Sequence, residues 1–212
     1  MSKLRVHNFV VSLDGYASGE GQSKEAAFGH AQREFLDWFG KLRIWRGVQP
    51  DGMLGPDEAI ASAWGTAIGA EIMGRNKFRP TTGPWPDGGW PGWWVGGEEP
   101  PFHTPCFVMT HWEREPIKAG ETTFYFVNGS PADVLQRAQE AAGGLDVRLG
   151  GGPTTINEFL AADLVDYLHV VLVPLVLGRG VPLWNGLAGL HERYALETVT
   201  VPSGATHLFF SR

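Results

Sequence analysis

Short apolar runs alternate with helical patterns between residues 123 and 173, and this alternation constrains the fold more than any other feature of the chain. Strand-like runs at residues 123–127, 145–149 and 167–173 are separated by two amphipathic helical patterns. Strands joined through helices pair in parallel and need helices on both faces of their sheet. The segment therefore predicts a βαβαβ unit within an α/β fold.

The two helices of this unit have recognisable ends. The first is predicted to follow Ser130 as N-cap, to begin at Pro131 and to stop at Gly143 and Gly144, because helices favour these residue types at these places. The second is predicted over residues 154–161, with its large apolar side chains on one face. Each helix thus has an apolar face to bury against the sheet.

The flanking segments extend the unit into a larger sheet. Further strands are predicted at residues 6–11, 72–73 and 105–110, and helices at 34–45 and from Pro56 to near Gly65 or Gly69, with 16–32 irregular. The closing runs, 196–201 and 207–211, are joined by a Pro-Ser-Gly turn that is typical of an antiparallel hairpin. We therefore expect a central mixed, largely parallel sheet with an antiparallel C-terminal hairpin.

Length and charge narrow the class of protein. With 212 residues, 43% of them hydrophobic, the chain is expected to form a single domain over residues 1–212. A net charge of −6 does not favour a nucleic acid partner. The longest apolar run is less than half of the ~20 residues that span a bilayer, and Cys106 is the only cysteine. We expect a cytoplasmic protein that binds neither nucleic acid nor membrane.

A glycine-rich turn between a predicted strand and a predicted helix favours a phosphate site. Gly150, Gly151 and Gly152 precede Thr154 and Thr155 at the start of the helix. Glycine lets the backbone approach a phosphate closely, and the free N–H groups of a helix start attract an anion. The pattern is neither the Rossmann fingerprint nor a P-loop, so the alternative is a tight turn that needs positive φ angles.

Two further strand ends carry residues that suit a phosphate. They are Gly74, Arg75, Asn76 and Lys77 after one strand, and Thr110 and His111, with Arg114 close behind, after another. Cationic side chains bind phosphates well, and the second group could surround a ribose 2′-phosphate. The alternative for each is a solvated loop, but three such strand ends together favour a nucleotide.

Residues 80–101 are rich in proline, glycine and tryptophan, a composition that no regular element tolerates. Long loops within a compact domain are often functional, and tryptophans argue against disorder. We predict a lid or a dimer contact, with plain packing as the alternative.

These motifs, taken in order, resemble the dihydrofolate reductase-like family, which includes the reductase domain of riboflavin biosynthesis. The matching stretches are Ser12-Leu13-Asp14-Gly15, Ile72-Met73-Gly74-Arg75, Val108-Met109-Thr110, Gly150-Gly151-Gly152, Leu164-Val165-Asp166 and residues 173–180. The resemblance covers nearly the whole chain. It implies a three-layer α/β/α fold around the mixed sheet.

The resemblance also implies NADPH as cofactor, lying across the strand ends. The adenosine phosphate side would be held by Gly74, Arg75, Thr110 and His111, next to Asn76 and Lys77. The pyrophosphate would be held by the turn that begins at Gly150, through Gly151, Gly152, Thr154 and Thr155. The nicotinamide would be bordered by Val11, Leu13 and Gly15. Together with the Trp-rich loop, the resemblance further implies a homodimer.

The residue that donates the proton is harder to assign. Dihydrofolate reductases carry a buried carboxylate on the first helix, just before a Leu-x-Trp-Phe-like stretch, where this chain has Phe35 with Glu34 and Asp37 on either side. The candidates for the general acid are Asp14, Asp37 or a bound water. The alternatives are a turn residue for Asp14 and a solvated helix face for Asp37.

No metal site is predicted, because His103, Cys106 and His111 match no standard zinc spacing. We expect an NADPH-dependent reductase that acts on a small heterocyclic substrate, either pterin-like or pyrimidine-like. Two alternatives stay open. One is a non-catalytic nucleotide-binding or scaffold protein that retains the fold, and the other is a pterin-binding module with little affinity for the cofactor.

Overall fold

The computed structural model describes residues 2–23, 25–39, 55–85 and 99–212. Its strands are β1 (Leu4–Ser12), β2 (Tyr16–Ser18), β3 (Ile68–Gly74), β4 (Pro105–Met109), β5 (Ile117–Ala119), β6 (Thr122–Val127), β7 (Asp146–Leu149), β8 (Tyr167–Val173), β9 (Val181–Pro182), β10 (Ala195–Thr200) and β11 (Thr206–Ser211). Its α-helices are α1 (Gln32–Phe39), α2 (Pro56–Ala61), α3 (Arg75–Phe78), α4 (Pro131–Ala141) and α5 (Pro153–Ala161). Short 3-10 helices cover Gly29–Ala31, Ser62–Gly65 and Leu190–Arg193.

Nine strands form one mixed sheet in the order β10-β11-β8-β1-β7-β3-β4-β6-β5. The central pairs, from β8–β1 to β4–β6, are all parallel. The β8–β11, β10–β11 and β5–β6 pairs are antiparallel. The predicted mixed, largely parallel sheet and its antiparallel C-terminal hairpin are confirmed.

Helices cover both faces of the sheet and make three layers. On β8, Leu168 and Val170 belong to a buried cluster that includes apolar residues of α4 and α5. Val171 and Val173 of the same strand belong to a second cluster, with Phe35 and Trp38 of α1. Because side chains alternate between the two faces of a strand, these clusters lie on opposite sides of the sheet.

The predicted helix ends agree with the structure in most cases. Ser130 Oγ accepts a hydrogen bond from Asp133 N (3.2 Å), and Asp133 Oδ2 accepts one from Ser130 N (3.2 Å), so the N-cap of α4 is a full capping box. The helix predicted over residues 34–45 begins at Gln32 as α1. Residues 40–45 of that prediction lie outside the described part of the chain.

Of the two predicted ends of the helix from Pro56, Gly65 is confirmed, whereas Gly69 lies inside β3. A Cβ at Gly69 would collide with the carbonyl oxygen of Ala142 at the end of α4. Glycine at this position therefore serves close packing between a strand and a helix end. The helix from Pro56 instead ends as α2 and continues as the 3-10 turn Ser62–Gly65.

The segment predicted to be irregular, residues 16–32, contains regular structure. Within it, β2 pairs with β9 in a separate two-stranded antiparallel sheet. The sequence pattern does not indicate β2 or β9, because each is too short to show a period and depends on its distant partner. Of the Trp-rich segment, residues 86–98 lie outside the described part. In the described residues, no helix is long and apolar enough to cross a membrane.

Candidate functional site at the carboxyl edge of the sheet

Four neighbouring parallel strands, β1, β7, β3 and β4, end at the same edge of the sheet. The predicted cofactor-binding residues lie at these strand ends or directly after them, in groups that begin at Val11, Gly150, Gly74 and Thr110 respectively. Ligands of open α/β sheets bind outside the carboxyl ends of the strands. The fold thus gathers four segments, as far apart in sequence as Leu13 and Gly150, into one candidate site.

The glycine turn connects β7 to α5 and is attached to β3. Gly150 N donates to Ile72 O (2.8 Å), and Gly74 N donates to Gly151 O (2.7 Å). Gly151 has a φ of 110°, and the peptide bond between Gly151 and Gly152 is cis. Only glycine adopts such a positive φ without strain. The backbone path of the turn therefore requires glycine at position 151. This requirement alone explains one of the three glycines without a phosphate, as the tight-turn alternative supposes.

The start of α5 has the features of an anion site. The described structure shows no side chain that caps the first turn of α5. Pro153 occupies the first helical position. Thr154 is exposed, whereas Thr155 is buried. A Cβ at Gly74 would collide with Thr155 Oγ1, so Thr155 packs against the end of β3. Of the two predicted threonines, only Thr154 is thus exposed at the start of α5.

Lys77 is oriented differently from the prediction. Its Nζ donates to Gly150 O, beneath the glycine turn. There it lies beside a buried ion pair in which Arg148 Nε is 2.7 Å and 2.8 Å from the two carboxylate oxygens of Glu71. Burial, reinforced by the charge of Arg148, lowers the pKa of Lys77 to about 8. This position favours a structural role for Lys77, whose ammonium group supports the turn, over the expected contact with a phosphate.

Arg75 begins α3 directly after β3, and an aromatic ring accompanies its guanidinium group. Its Cζ lies 4.1 Å from the ring centroid of Trp85, and its Nη2 donates to Thr81 Oγ1 (3.0 Å). Burial and the charge of Arg79 lower the pKa of Arg75. Its buried Nε has no hydrogen-bond partner in the described structure. Asn76, the next residue, is exposed.

The loop after β4 contains one residue that is buried and shapes the turn, and two residues that are at least partly exposed. Thr110 is 8% exposed, and its Oγ1 accepts a hydrogen bond from Trp112 N (3.1 Å). Its hydroxyl thus shapes the turn. His111 is exposed, and Arg114 is half-buried. His111 and Arg114 are therefore the groups of this loop that can meet a ligand.

The end of β1 joins the loop that follows β8. Val11 is fully buried, whereas Leu13 is 56% exposed. Leu13 N donates to Leu175 O (2.8 Å). Gly15 has a φ of 89°, and a Cβ there would lie 3.3 Å from the indole of Trp184. Trp184, a residue that the sequence patterns did not single out, therefore packs against the loop that is expected to border the nicotinamide.

Asp14 connects these two loops. Its carboxylate accepts hydrogen bonds from Ser12 Oγ (2.6 Å), Leu177 N (3.2 Å) and Gly178 N (2.6 Å). Burial acts to raise the pKa of Asp14, but these hydrogen bonds outweigh it and lower the pKa below its usual value. A carboxylate that accepts three hydrogen bonds and has a lowered pKa is a poor proton donor at neutral pH. The geometry favours the turn-residue alternative for Asp14 over the general acid.

Asp37 lies on the outer face of α1. Its side chain is 71% exposed, and its Oδ2 is 3.7 Å from Arg33 Nε. Glu34 is exposed as well, whereas Phe35, at the place of the family's carboxylate, is fully buried. Both carboxylates of α1 thus face solvent, and the geometry favours the solvated-face alternative for Asp37.

The sequence patterns missed two groupings of charged residues. The Glu71–Arg148 pair lies among the buried apolar residues of β3 and β7, and a charge in such a run is the feature that could have revealed it. On the surface, His103 Nδ1 lies 3.6 Å from Glu99 Oε1 and 3.5 Å from Glu121 Oε2. Cys106, by contrast, is fully buried in β4.

Comparison with known proteins shows which family the chain is similar to. The sequence model of the RibD C-terminal domain matches residues 6–204. Among curated proteins, the uncharacterized protein YwjB of Bacillus subtilis is 30% identical over 83 residues. This match covers 39% of the chain and 45% of that protein, so the chain corresponds to less than half of this relative.

Solved structures share the fold over the whole chain. A candidate riboflavin biosynthesis protein from Shewanella sp. PV-4 is 21% identical, with a TM-score of 0.61 and coverage of 100% of this chain and 99% of that one. RibD of Acinetobacter baumannii is 14% identical, with a TM-score of 0.51, and this chain covers 58% of it. Dihydrofolate reductase from Enterococcus faecalis, complexed with NADP(H), is 12% identical, with a TM-score of 0.50 and coverage of 99% and 96%. At these identities the likeness shows the fold alone.

Proposed function

Because the chain belongs to the RibD C-terminal domain family, we propose that it is an NADPH-dependent reductase that passes a hydride to a C=N or C=O group of a pterin-like or pyrimidine-like substrate. The observation that carries the proposal is the gathering of four loops at the carboxyl ends of β1, β7, β3 and β4. The glycine turn and the uncapped start of α5 lie at the centre of this edge.

The residues at the edge fit a dinucleotide phosphate. The free N–H groups at the start of α5 suit a diphosphate. The buried Nε of Arg75, which has no partner among the described residues, suits an anion. Gly151, Gly152 and Thr154 would hold the diphosphate, Arg75 and His111 the adenosine phosphate side, and Val11, Leu13 and Gly15 would border the nicotinamide.

When bound, the cofactor supplies the hydride, and the protein supplies orientation and the exclusion of water. The β1 end and Trp184 would hold the reacting rings in position, because Trp184 packs over Gly15. With Asp14 engaged in the loop and Asp37 facing solvent, we propose that the proton comes from a water molecule. The protein then contributes to catalysis mainly by positioning the cofactor and the substrate.

A titration with NADPH and NADH tests the proposal directly. We expect NADPH to quench the tryptophan fluorescence of the protein, since Trp85 and Trp184 border the site. Arg75→Ala removes a charge-assisted contact that is worth roughly 1.5–3 kcal/mol, so we expect NADPH affinity to fall by at least about tenfold. A panel of oxidised pterins and pyrimidines, followed by NADPH absorbance, then tests turnover.

Arg137→Ala is the matched control. Arg137 is an exposed arginine of α4 and is not among the residues at the edge, so its loss should leave NADPH affinity unchanged. Absence of binding by either cofactor would contradict the proposal. Equal weakening by both variants would indicate a general effect of charge and would count against a specific site.

A second candidate is a nucleotide-binding protein of the same fold without turnover. It is favoured by one observation, namely that both carboxylates of α1 are exposed while Phe35 fills the inward position. Tight NADPH binding with no NADPH consumption across the whole panel would support this candidate over the reductase.

A further inference from the structure

Trp85 lies within cation–π distance of two arginines that come from different strand ends. The Cζ of Arg75 is 4.1 Å from the Trp85 ring centroid, and the Cζ of Arg114 is 5.7 Å from it. Arg75 follows β3, and Arg114 belongs to the loop after β4. A cation within about 6 Å of an indole face is attracted by the quadrupole of the ring. Trp85 therefore holds both guanidinium groups at the adenosine side of the proposed site.

Two ring contacts and one hydrogen bond hold the Trp85 side chain in place. Its ring packs at steep angles against Phe78 (5.8 Å between centroids, 86°) and Phe126 (5.0 Å, 67°). Its Nε1 donates to Trp112 O. Arg114 also lies over Phe126, with its Cζ 5.3 Å from that ring centroid. The indole is thus anchored in an aromatic cluster at the β3–β4–β6 end of the sheet.

The two arginines keep their charge available. The arginines that pair with carboxylates in the described structure are Arg5, Arg33, Arg148, Arg179, Arg193 and Arg212. Arg75 and Arg114 are not among them. A carboxylate would position a guanidinium group but would also neutralise it, whereas a π face attracts the cation and leaves it uncompensated. Such an arrangement favours a ligand with a high density of negative charge.

A phosphate monoester meets this requirement. It carries about −1.5 to −2 charge at neutral pH and three acceptor oxygens. A guanidinium group can donate to two of these oxygens at once. The buried Nε of Arg75, without a partner in the described part of the chain, is a further donor for such a group. A ribose hydroxyl is uncharged and offers a single acceptor oxygen.

We propose that Trp85 is a positioning residue that holds Arg75 and Arg114 for a ribose phosphate monoester, and that it thereby selects the phosphorylated over the unphosphorylated dinucleotide. This inference rests on the proposed function, because it places the adenosine end of the cofactor at β3 and β4. It assigns a role to the only tryptophan of the segment 80–101 that the structure describes.

Calorimetric titration with two small nucleotides tests the inference without any reductase activity. Adenosine 2′,5′-bisphosphate and adenosine 5′-monophosphate differ only in the 2′-phosphate. We expect the wild-type protein to bind the bisphosphate at least about tenfold more tightly, and Trp85→Leu, which keeps an apolar side chain but lacks a π face, to reduce this preference about tenfold. Trp85→Phe should restore most of it.

The controls separate positioning from folding. Trp112→Leu removes a neighbouring exposed ring but keeps the carbonyl group that accepts from Trp85, so the preference should persist. Arg114→Gln should weaken bisphosphate binding while leaving monophosphate binding unchanged. If Trp85→Leu weakened both nucleotides equally, Trp85 would be a packing or base-stacking residue and the inference would be overturned. A wild-type protein that bound both nucleotides equally, or neither, would overturn it as well.

These outcomes are distinct from failure of the proposed function. A Trp85-dependent preference for the bisphosphate, without NADPH consumption on any substrate, would support the inference and contradict the reductase. NADPH turnover with no 2′-phosphate preference would support the reductase and contradict the inference.

Discussion

At the scale of single residues, hydrogen-bond partners decide what each charged side chain at the edge can do. Asp14 looks like an acid beside the nicotinamide border, but three donors surround its carboxylate. Lys77 looks like a phosphate ligand, but its ammonium group faces the Glu71–Arg148 pair. Arg75 and Arg114 remain open because aromatic rings, and no described carboxylate, hold them.

Asparagine variants of the two candidate acids test this assignment. We expect Asp37→Asn to change the free energy of unfolding by no more than about 0.5 kcal/mol, as at other exposed sites, and to leave turnover unchanged. Asp14→Asn weakens the connection between the β1 loop and residues 177–178, so we expect KM to rise, with no shift in the pH profile of kcat/KM.

The pH profile is the decisive measurement for Asp14. A positioned general acid contributes about 10²–10⁴-fold to rate. A loss of that size in kcat for Asp14→Asn, together with disappearance of one limb of the profile, would show that Asp14 donates the proton after all.

At the scale of elements, buried histidines join α2 to the antiparallel end of the sheet. His169 Nε2 of β8 lies 2.9 Å from His207 Nδ1 of β11, and His207 Nε2 lies 3.4 Å from Asp57 Oδ1 of α2. Asn8 N donates to His169 Nδ1 (3.3 Å). His169 is thus protonated on Nε2, donates to His207, and His207 in turn donates to Asp57. Both imidazole rings can make this series of hydrogen bonds only in their neutral form.

Because these buried histidines are neutral in the folded protein, we predict that the free energy of unfolding decreases in mild acid. Burial, followed by the charge of His207, lowers the pKa of His169 to about 3, and burial lowers the pKa of His207. Burial also lowers the pKa of nearby His7 to about 3. The unfolded chain therefore binds more protons below pH 6.5, and the free energy of unfolding falls as the pH drops from 6.5 towards 3. The slope approaches about 1.4 kcal/mol per pH unit for each histidine.

Urea unfolding between pH 7.5 and 5 measures this slope. His7→Phe removes one titrating ring whose Nε2 has no partner in the described structure, so the slope should become shallower. His191→Gln removes an exposed histidine and should leave it unchanged. A wild-type stability that stayed constant down to pH 5 would contradict the assignment of neutral, buried rings.

At the scale of the whole molecule, the sheet has an open edge at β10. All six residues of β10 are exposed, and Leu196 and Val199 are the large apolar ones. An exposed edge strand invites pairing with a second strand. The expected homodimer stays a prediction, and β10 is one described surface on which a second copy could add a strand.

Light scattering tests this expectation. We predict a mass near twice the 23.2 kDa of the chain at micromolar concentration, and a shift towards the monomer for Leu196→Lys, which places a charge on the open edge. Glu140→Lys, on the exposed face of α4, is the control for a change of charge. A monomeric wild-type protein would contradict the prediction.

Local sequence patterns predicted most of the fold. The strands and helices of the βαβαβ unit, the N-cap residue Ser130 of α4 and the C-terminal hairpin are marked by periodicity, cap residues and turn residues within a few positions of one another. The same patterns predicted which strand ends carry phosphate-compatible residues. The resemblance to a family, carried by these motifs, agrees with the family model that matches residues 6–204.

The orientation of side chains at the site depended on tertiary structure alone. The same stretch of sequence places Arg75 at the edge and turns Lys77 inward, because Glu71 and Arg148, from two paired strands, form a buried ion pair near its ammonium group. Trp85 and Arg114 are 29 residues apart in sequence and meet only because β3, β4 and β6 are neighbours. The sequence by itself determined which residue types reach the edge of the sheet. The contacts between distant strands, which no local period records, decided which of them can act there.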